Sequence, residues 1–263
     1  MIRVLVTPPP YVPFSLCFCH FALCVLSVQR LLVTMRSTLE DLQRAIKGEM
    51  VMTESLESMS TSLFNNQVPE MWVAVAYPSL MPLSAWVADL LNRHSFIDHW
   101  ITEGIPVVFW ISGFFFPQAF LTGTLQNYAR KYRKPIDAIS FGFHVMSDRK
   151  VESIVERPKD GIYIHGLHLE GARWDPSQKC LAESKPKELF TPFPVMWLLP
   201  EEERAEPTEG IYKCPVYKIL TRKGTLSTTG HSTNFVLFVE LPTKDPKAKW
   251  IKAGVALFCA LKY

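Results

Sequence analysis

The chain has 263 residues, which is enough for one large domain or two small ones. A hydrophobic content of 48%, with 7 Trp and 17 Phe, is typical of a globular protein with a sizeable core. The net charge of +3, from 28 basic and 25 acidic residues, argues against a nucleic-acid-binding domain, because such domains concentrate basic charge.

An uncharged and mostly apolar run, YVPFSLCFCHFALCVLSV, occupies residues 11–28. About eighteen residues are the minimum that spans a bilayer, so a membrane or secretory segment is one interpretation. Several prolines at its start and His20 within it weaken that interpretation. An added leader and a packed core helix are the two others. We favour the leader, and we expect residues 1–29 to make few contacts with the rest of the protein.

Apolar side chains that recur every three or four residues predict an amphipathic helix from about Leu31 to the residues before Gly48. The same spacing predicts helices over 50–64, 83–101 and 117–133, the last of them opened by a proline. The run VVFWISGFFF between the last two is too short to be assigned from its pattern.

The apolar spacing changes after Pro135, from the helical period of about 3.6 to the strand period of about 2. This alternation predicts six strands, at 136–146, 161–169, 194–199, 211–220, 234–241 and 253–261. Helices followed by short strands indicate an α+β fold. We predict an N-terminal helical bundle followed by a six-stranded antiparallel β-barrel or sandwich, with no long helix after residue 190.

The glycine-rich segment 224–232 (GTLSTTGHS) superficially resembles a phosphate-binding P-loop, but it departs from that pattern twice. Five residues separate its glycines where four are needed, and His231 takes the place of the lysine that reaches the phosphates. The segment also leads into a predicted strand, so no helix N-terminus assembles the amides that would bind an anion. We predict a hydroxyl-rich turn with no bound cofactor.

Three further groups of residues are weak candidates for chemistry. His165 and His168, with His231, are a conceivable metal triad, but side chains three residues apart on a strand point to opposite faces. The six Cys include no CxxC pair, and those in the body are expected to be thiols packed as small hydrophobic groups. A hydrolytic triad can be assembled on paper from Ser227, His231 and Asp175, but no GxSxG sequence supports it. We therefore predict no catalytic residue, no cofactor and no metal site.

Six long strings in the sequence resemble, in order, the C-terminal end of a dynein heavy chain of the axonemal class. They are YPSLMPL, FWISGFFFPQAFLTGTLQNYARKY, GIYIHGLHLEGARWD, PVMWLLP, GTLSTTGHSTNFV and WIKAGVALFC. The resemblance covers about 30–263, so residues 1–29 are expected to be a leader unrelated to the family. The protein itself is expected to be a truncated heavy chain.

The resemblance implies three parts. After the leader, 30–135 would hold the last helices of the sixth AAA+ module, a lid-like bundle, and the start of the C-terminal domain. Residues 136–263 would form the β-rich C-terminal domain. The P-loops, linker, stalk and microtubule-binding tip of the family have no counterpart here. The implied function is a non-catalytic structural or regulatory module of a minus-end-directed microtubule motor, located in the cytoplasm, the cytoskeleton and the axoneme of cilia or flagella.

The implied partners are the upstream dynein AAA+ ring and, through the complex, the intermediate and light chains. Nucleic acid is not among them, and membrane contact is not expected. The helical half should expose apolar side chains that the ring would cover, because a domain cut from a larger assembly exposes its interface. The candidates for this docking surface are Leu31, Met35, Leu39, Leu42, Met52 and Trp72. The alternative is a membrane-anchored or secreted interaction protein that uses residues 11–28.

The departures of segment 224–232 from a P-loop generate a first prediction. The purified protein should neither bind nor hydrolyse ATP, because the lysine and the required glycine spacing are both absent. Isothermal titration calorimetry and a phosphate-release assay would measure this. Micromolar affinity for ATP that disappears in a Gly230→Ala variant would contradict the prediction.

Overall fold

Six helices occupy the described part of the protein, and five of them precede most of the sheet structure. The computed structural model describes residues 16–204, 209–222, 224 and 233–262, with the side chains of residues 16–20 left out. The helices are α1 (Leu16–Ile46), α2 (Glu54–Phe64), α3 (Glu70–Val73), α4 (Leu83–Glu103), α5 (Pro117–Tyr132) and α6 (Lys247–Ala253). The four predicted helices correspond to α1, α2, α4 and α5, and each is confirmed. The short α6 agrees with the expectation of no long helix after residue 190.

Helix α1 starts much earlier than predicted, at Leu16 and not near Leu31. Three side chains upstream of Leu31 continue its core-facing stripe at the same three- and four-residue spacing, and all are buried: Phe21, Cys24 and Val28. No proline interrupts the sequence after Pro13 in this region, so one continuous helix forms.

The start of α1 is packed against the body of the protein. The ring of Phe21 lies 4.3 Å, centroid to centroid, from the ring of Trp100 on α4. Burial raises the pKa of the Cys24 thiol, and the nearby backbone of Phe115 and Phe116, just before α5, partly offsets that rise. The expectation that residues 1–29 make few contacts is therefore wrong for residues 21–29, because their apolar stripe is part of the core.

Local signals set the ends of the helices. Gly48, with φ of 76°, adopts the left-handed conformation that ends α1. Thr53 caps α2, since its hydroxyl oxygen accepts a bond from the backbone N–H of Leu56 at 3.4 Å. Pro117 occupies the first turn of α5, and Arg133 ends that helix with φ of 54°.

Eleven strands are present in the described residues. They are β1 (Val108–Trp110), β2 (Ile139–Val145), β3 (Ile162–His165), β4 (His168–Glu170), β5 (Arg173–Asp175), β6 (Cys180–Ala182), β7 (Phe190–Pro192), β8 (Met196–Glu202), β9 (Ile211–Tyr217), β10 (Phe235–Pro242) and β11 (Ala256–Phe258). They form a four-stranded sheet in the order β1-β3-β8-β2, a five-stranded sheet in the order β10-β9-β11-β4-β7, and the β5-β6 hairpin.

The α+β class is confirmed, but the predicted six-stranded antiparallel barrel or sandwich is wrong. The described strands form no closed barrel, and two pairings are parallel: β1 with β3 and β11 with β9. The number of strands is also larger, because four strands of three residues each were not predicted: β1, β5, β6 and β7. Three residues are too few for a period of about 2 to be read from the sequence.

One predicted strand is split in two. Gly166 has φ of 93°, a conformation that glycine adopts more readily than other residues, and it turns the backbone between β3 and β4. As a result β3 joins the four-stranded sheet and β4 joins the five-stranded one. The sequence segment 161–169 thus connects the two sheets.

The helical and β-rich parts share one core, although α5 ends close to Pro135 as predicted. Strand β1 lies on the helical side of that point in the sequence but pairs with β3, with Phe109 opposite Ile164. The ring of Phe120 on α5 contacts the rings of Phe109 on β1 and of Phe114, with centroids 4.9 and 4.2 Å away. Trp100 packs on the same group, 5.4 Å from Phe109.

A buried cation joins α4 to the segment before it. Arg93 is only 3% exposed, and its Nε donates to the carboxylate of Asp89 at 2.7 Å. Its guanidinium lies 3.7 Å from the ring centroid of Tyr77 and 5.6 Å from that of Trp110. Burial raises the pKa of the Tyr77 phenol, so Tyr77 presents a neutral ring to the cation. Among the described residues, Nη1 of Arg93 has no hydrogen-bond partner.

The burial of this ion pair generates a second prediction. An Arg93→Ala substitution should lower the free energy of unfolding by about 3 kcal/mol, because it empties the site of a buried side chain and leaves the carboxylate of Asp89, which is only 14% exposed, without its partner. Urea unfolding followed by circular dichroism would measure the change. Arg36→Ala is the control, since it breaks an exposed pair at the same four-residue spacing, and it should change stability far less. Equal effects of the two substitutions would contradict the role given to Arg93.

Candidate docking surface

An open apolar groove runs between α1 and α4 on the outside of the helical part, and we refer to it as the α1–α4 groove. Its volume is about 480 Å³. Ten side chains line it: Val25, Val28, Gln29, Leu32, Val33 and Arg36 from α1, and His94, Ile97, Asp98 and Ile101 from α4.

The spacing of these residues places a second stripe on each helix. On α1, Val25, Gln29, Leu32 and Arg36 follow one another at intervals of three and four residues, next to the core-facing stripe. On α4, the lining residues form two pairs at an interval of four residues, His94 with Asp98 and Ile97 with Ile101, so they share one face of the helix. One stripe from each of the two helices thus forms a wall of the groove, and both walls have helical periodicity.

The groove is apolar at its base and open at its rims. Val28 and Ile97 are buried, at 4% and 7% exposure. Val33 and Ile101 are 61% and 50% exposed, although both side chains are purely aliphatic. The helix segment Phe21–Ile46 is long and apolar enough to cross a membrane, yet only 17% of its most apolar window is buried. Much of the apolar surface of α1 is therefore left without a covering layer.

The predicted docking residues divide into two groups. Leu31, Leu42 and Trp72 are buried within this protein, at 0%, 6% and 3% exposure, so the expectation that they lack partners is wrong. Trp72 also donates from its indole N–H to the hydroxyl of Thr38 at 3.0 Å. These side chains were chosen from the main apolar stripe, which is the stripe that a helix turns towards its own core.

The other predicted residues retain some exposure but do not form the groove. Met35 is partly buried, and Leu39 and Met52 are each 41% exposed. None of the three lines the α1–α4 groove. The groove residues were not predicted from the sequence, because half of the α1 wall lies within 11–28 or directly beside it. The signal was available, since Val25, Leu32 and Arg36 repeat with the helical period.

The candidate metal and catalytic groups do not come together in the described residues. His165 ends β3 and His168 starts β4, with Gly166 between them, and the two strands belong to different sheets. No cluster of three or more His, Cys, Asp or Glu side chains in the described ranges could hold a metal ion. Asp175 accepts bonds from the hydroxyl and the backbone N–H of Ser177, within a turn. Ser227 and His231 lie outside the described residues.

The glycine-rich segment is described only at Gly224, and the rest of 225–232 lies outside the described residues. The backbone on either side of it is held together by Asn234. The side-chain amide of Asn234 accepts from the backbone N–H of Ile219 at 3.0 Å and donates to the carbonyl of the same residue at 3.1 Å. Arg222 bridges the carboxylate of Glu170 and the carbonyl of Gly254.

The described cysteines are free and buried thiols: Cys24, Cys180, Cys214 and Cys259. Burial raises the pKa of the Cys259 thiol to about 12 and also raises the pKa of Cys24. A thiol that stays protonated is a poor nucleophile and a poor metal ligand. These side chains therefore act as small apolar groups in the core, as the sequence predicted for the cysteines of the body.

Comparison with known proteins identifies the relatives of this protein. A sequence profile of the C-terminal domain of dynein heavy chains matches residues 24–259. The sequence is 60% identical to dynein axonemal heavy chain 1 of Homo sapiens over 239 residues, which are 91% of the sequence and 6% of that relative. It is 54% identical to dynein axonemal heavy chain 3 of Mus musculus over 233 residues, and 52% identical to dynein axonemal heavy chain 12 of Rattus norvegicus over 231 residues. Those matches span 88% of the sequence and 6% and 7% of the relatives.

The half-buried histidines generate a third prediction. Burial lowers the pKa of His165 and of His168 below the ordinary value of 6.5. The unfolded protein then binds more protons than the folded protein below about pH 6.5, so the free energy of unfolding should fall as the pH drops through that value. Urea titrations at pH 7.5 and pH 5.5 would measure this. A His165→Gln/His168→Gln variant should show a smaller pH dependence, whereas replacing the exposed His99 by Gln should preserve it. A pH dependence unaffected by the first variant would contradict the assignment.

Proposed function

The protein belongs to the family defined by the C-terminal domain of dynein heavy chains, and we propose that it serves as a structural and regulatory end module of an axonemal dynein motor. The observation that carries the proposal is the extent of the family match. It runs from residue 24 to residue 259, through the helices and both sheets, and these elements share one core. A module of this kind acts in cilia or flagella, on the cytoskeleton of the axoneme.

The proposed partner is the part of a dynein heavy chain that precedes this domain, which includes the AAA+ ring. The matched segment is 6% of dynein axonemal heavy chain 1, so most of such a protein lies outside the matched region. Intermediate and light chains would be reached only through the assembled complex. Uncovered aliphatic side chains such as Val33 and Ile101 support a surface that another protein layer covers.

The proposed role is non-catalytic. The family match is to the C-terminal domain of the heavy chain, and the proposal assigns ATP hydrolysis and microtubule binding to other parts of the motor. A domain that packs on a motor ring acts by favouring some ring conformations over others, through its different affinity for each of them. Its effect would therefore be measured as a change in the rate or the coupling of the motor.

A membrane-anchored protein is the alternative, and the apolar composition of α1 favours it. The described part of the sequence includes one helix segment, Phe21–Ile46, that is long and apolar enough to cross a bilayer. Against this, Phe21, Cys24 and Val28 are buried against the protein, where lipid cannot reach them. Extraction of membranes with alkaline carbonate distinguishes the two functions, since a spanning helix resists it and a docked module does not.

The partner assignment generates a fourth prediction. The purified protein should bind a human dynein axonemal heavy chain 1 polypeptide that lacks the 239 residues matched here, because that polypeptide would leave the docking site vacant. Gel filtration of the mixture would show a shift of the protein to the large complex. The complete heavy chain is the matched control, since its own C-terminal domain fills the site and binding should be far weaker. Absence of binding to the truncated polypeptide would contradict the proposed function.

A further inference from the structure

We propose that the α1–α4 groove holds an amphipathic helix from the part of a dynein heavy chain that precedes this domain. This inference rests on the proposed function and names the surface and the kind of segment that make the contact. It differs from the docking surface expected from the sequence, because Leu31, Leu42 and Trp72 are already used in the core.

The dimensions of the groove fit one short helix. Its α1 wall runs from Val25 to Arg36. At a rise of 1.5 Å per residue this is roughly 16 Å, or about three helical turns. Both walls carry side chains at intervals of three and four residues, which is the spacing that interlocks with a third helix. A helix laid in a groove of this kind is a common mode of peptide recognition.

The chemistry of the lining selects an amphipathic occupant. Val28 and Ile97 close the base, and Leu32, Val33 and Ile101 form aliphatic walls, so the occupant should present apolar residues at positions i, i+3 or i+4, and i+7. Covering the exposed parts of these side chains removes apolar surface from water, which favours the complex in proportion to the area covered.

The charges at the rim favour a cationic group on the occupant. Asp98 lies at the α4 rim, is exposed, and has no ion-pair partner among the described residues. Arg36, at the α1 rim, is already paired with Glu40 at 2.8 Å. A Lys or Arg at the edge of the apolar face of the occupant would meet the free carboxylate of Asp98, and such rim charges contribute mainly to orientation and specificity.

The position of the groove indicates where the occupant comes from. The family match begins at residue 24, and Val25 is the first residue that lines the groove. In a relative, the polypeptide that precedes the domain therefore arrives at one end of the groove. A groove only about three turns long is too small to provide the 1,200–2,000 Å² that a stable dimer typically buries. A helix of the preceding heavy chain, within a larger contact, fits this geometry better than a second copy of this protein.

The test is a binding measurement with the truncated heavy chain 1 polypeptide described above. A Val33→Asp/Ile101→Asp variant should lose affinity by about tenfold or more, because it places charges at the walls of a desolvated contact. Ile251→Asp on α6 is the matched control: Ile251 is 63% exposed, against 61% and 50% for the two groove residues, and the variant should bind like the unmodified protein. Circular dichroism and thermal unfolding would verify that all variants fold.

Each outcome decides between the two proposals. If the unmodified protein binds and the groove variant binds equally well, the groove is not the contact and the proposed function stands. If the unmodified protein does not bind, the proposed function fails, and the groove assignment fails with it. If the groove variant instead converts a dimer of this protein into a monomer, the occupant is a second copy and the inference is wrong.

The rim charge is tested separately. Reversal of this charge by Asp98→Lys should weaken binding less than the double variant, with the loss concentrated in the association rate. An unchanged association rate would exclude a cationic group opposite Asp98.

Discussion

The ring packing around Trp100 and Phe114 holds the helical and β-rich parts in one body. Phe21 from the start of α1 and Phe109 from β1 meet Trp100, with ring centroids 4.3 and 5.4 Å away. Phe114 stacks on Phe120 of α5 at 4.2 Å. Aromatic pairs at such distances stabilise a core beyond the area that they bury. Because β1 is at the same time paired with β3, this cluster fixes the helices to the four-stranded sheet. The directions of α1 and α4, and so the shape of the groove between them, depend on this packing.

Helix α1 carries two adjacent apolar stripes with different surroundings. One stripe, which includes Val28 and Leu31, is buried in the core. The other, which includes Val25 and Leu32, is turned toward α4 and lines the groove with only partial burial. A surface helix of a monomer normally has a single apolar face and a polar opposite face. The wider apolar arc of α1 gives the segment the composition of a membrane helix. The proposed protein partner in the α1–α4 groove would account for the same composition.

Much of the fold could be predicted from local patterns, and the errors have identifiable causes. Three helices could be predicted from apolar periodicity and from proline and glycine positions, which depend only on residues close together in the sequence: Glu54–Phe64, Leu83–Glu103 and Pro117–Tyr132. The parallel pairing of β1 with β3 depends on contacts between residues about fifty positions apart, which no local period records. The groove was missed for a related reason. The hydropathy of residues 11–28 shows that the segment is apolar, but it does not show what covers the segment. Burial of Phe21, Cys24 and Val28 depends on contacts with residues that are distant in the sequence.

The position of β11 has a consequence for the synthesis of the protein. This strand, Ala256–Phe258, lies in the centre of the five-stranded sheet, between β9 and β4, although it is the strand furthest along the sequence among those described. Neither neighbour can complete its ladder until residues 256–258 have left the ribosome. Non-local pairings of this kind form slowly, and their open edges are exposed to aggregation in the meantime. Until β11 is inserted, one edge of β4 and one edge of β9 stay unpaired, and such open edges favour the binding of chaperones while the domain is being synthesised.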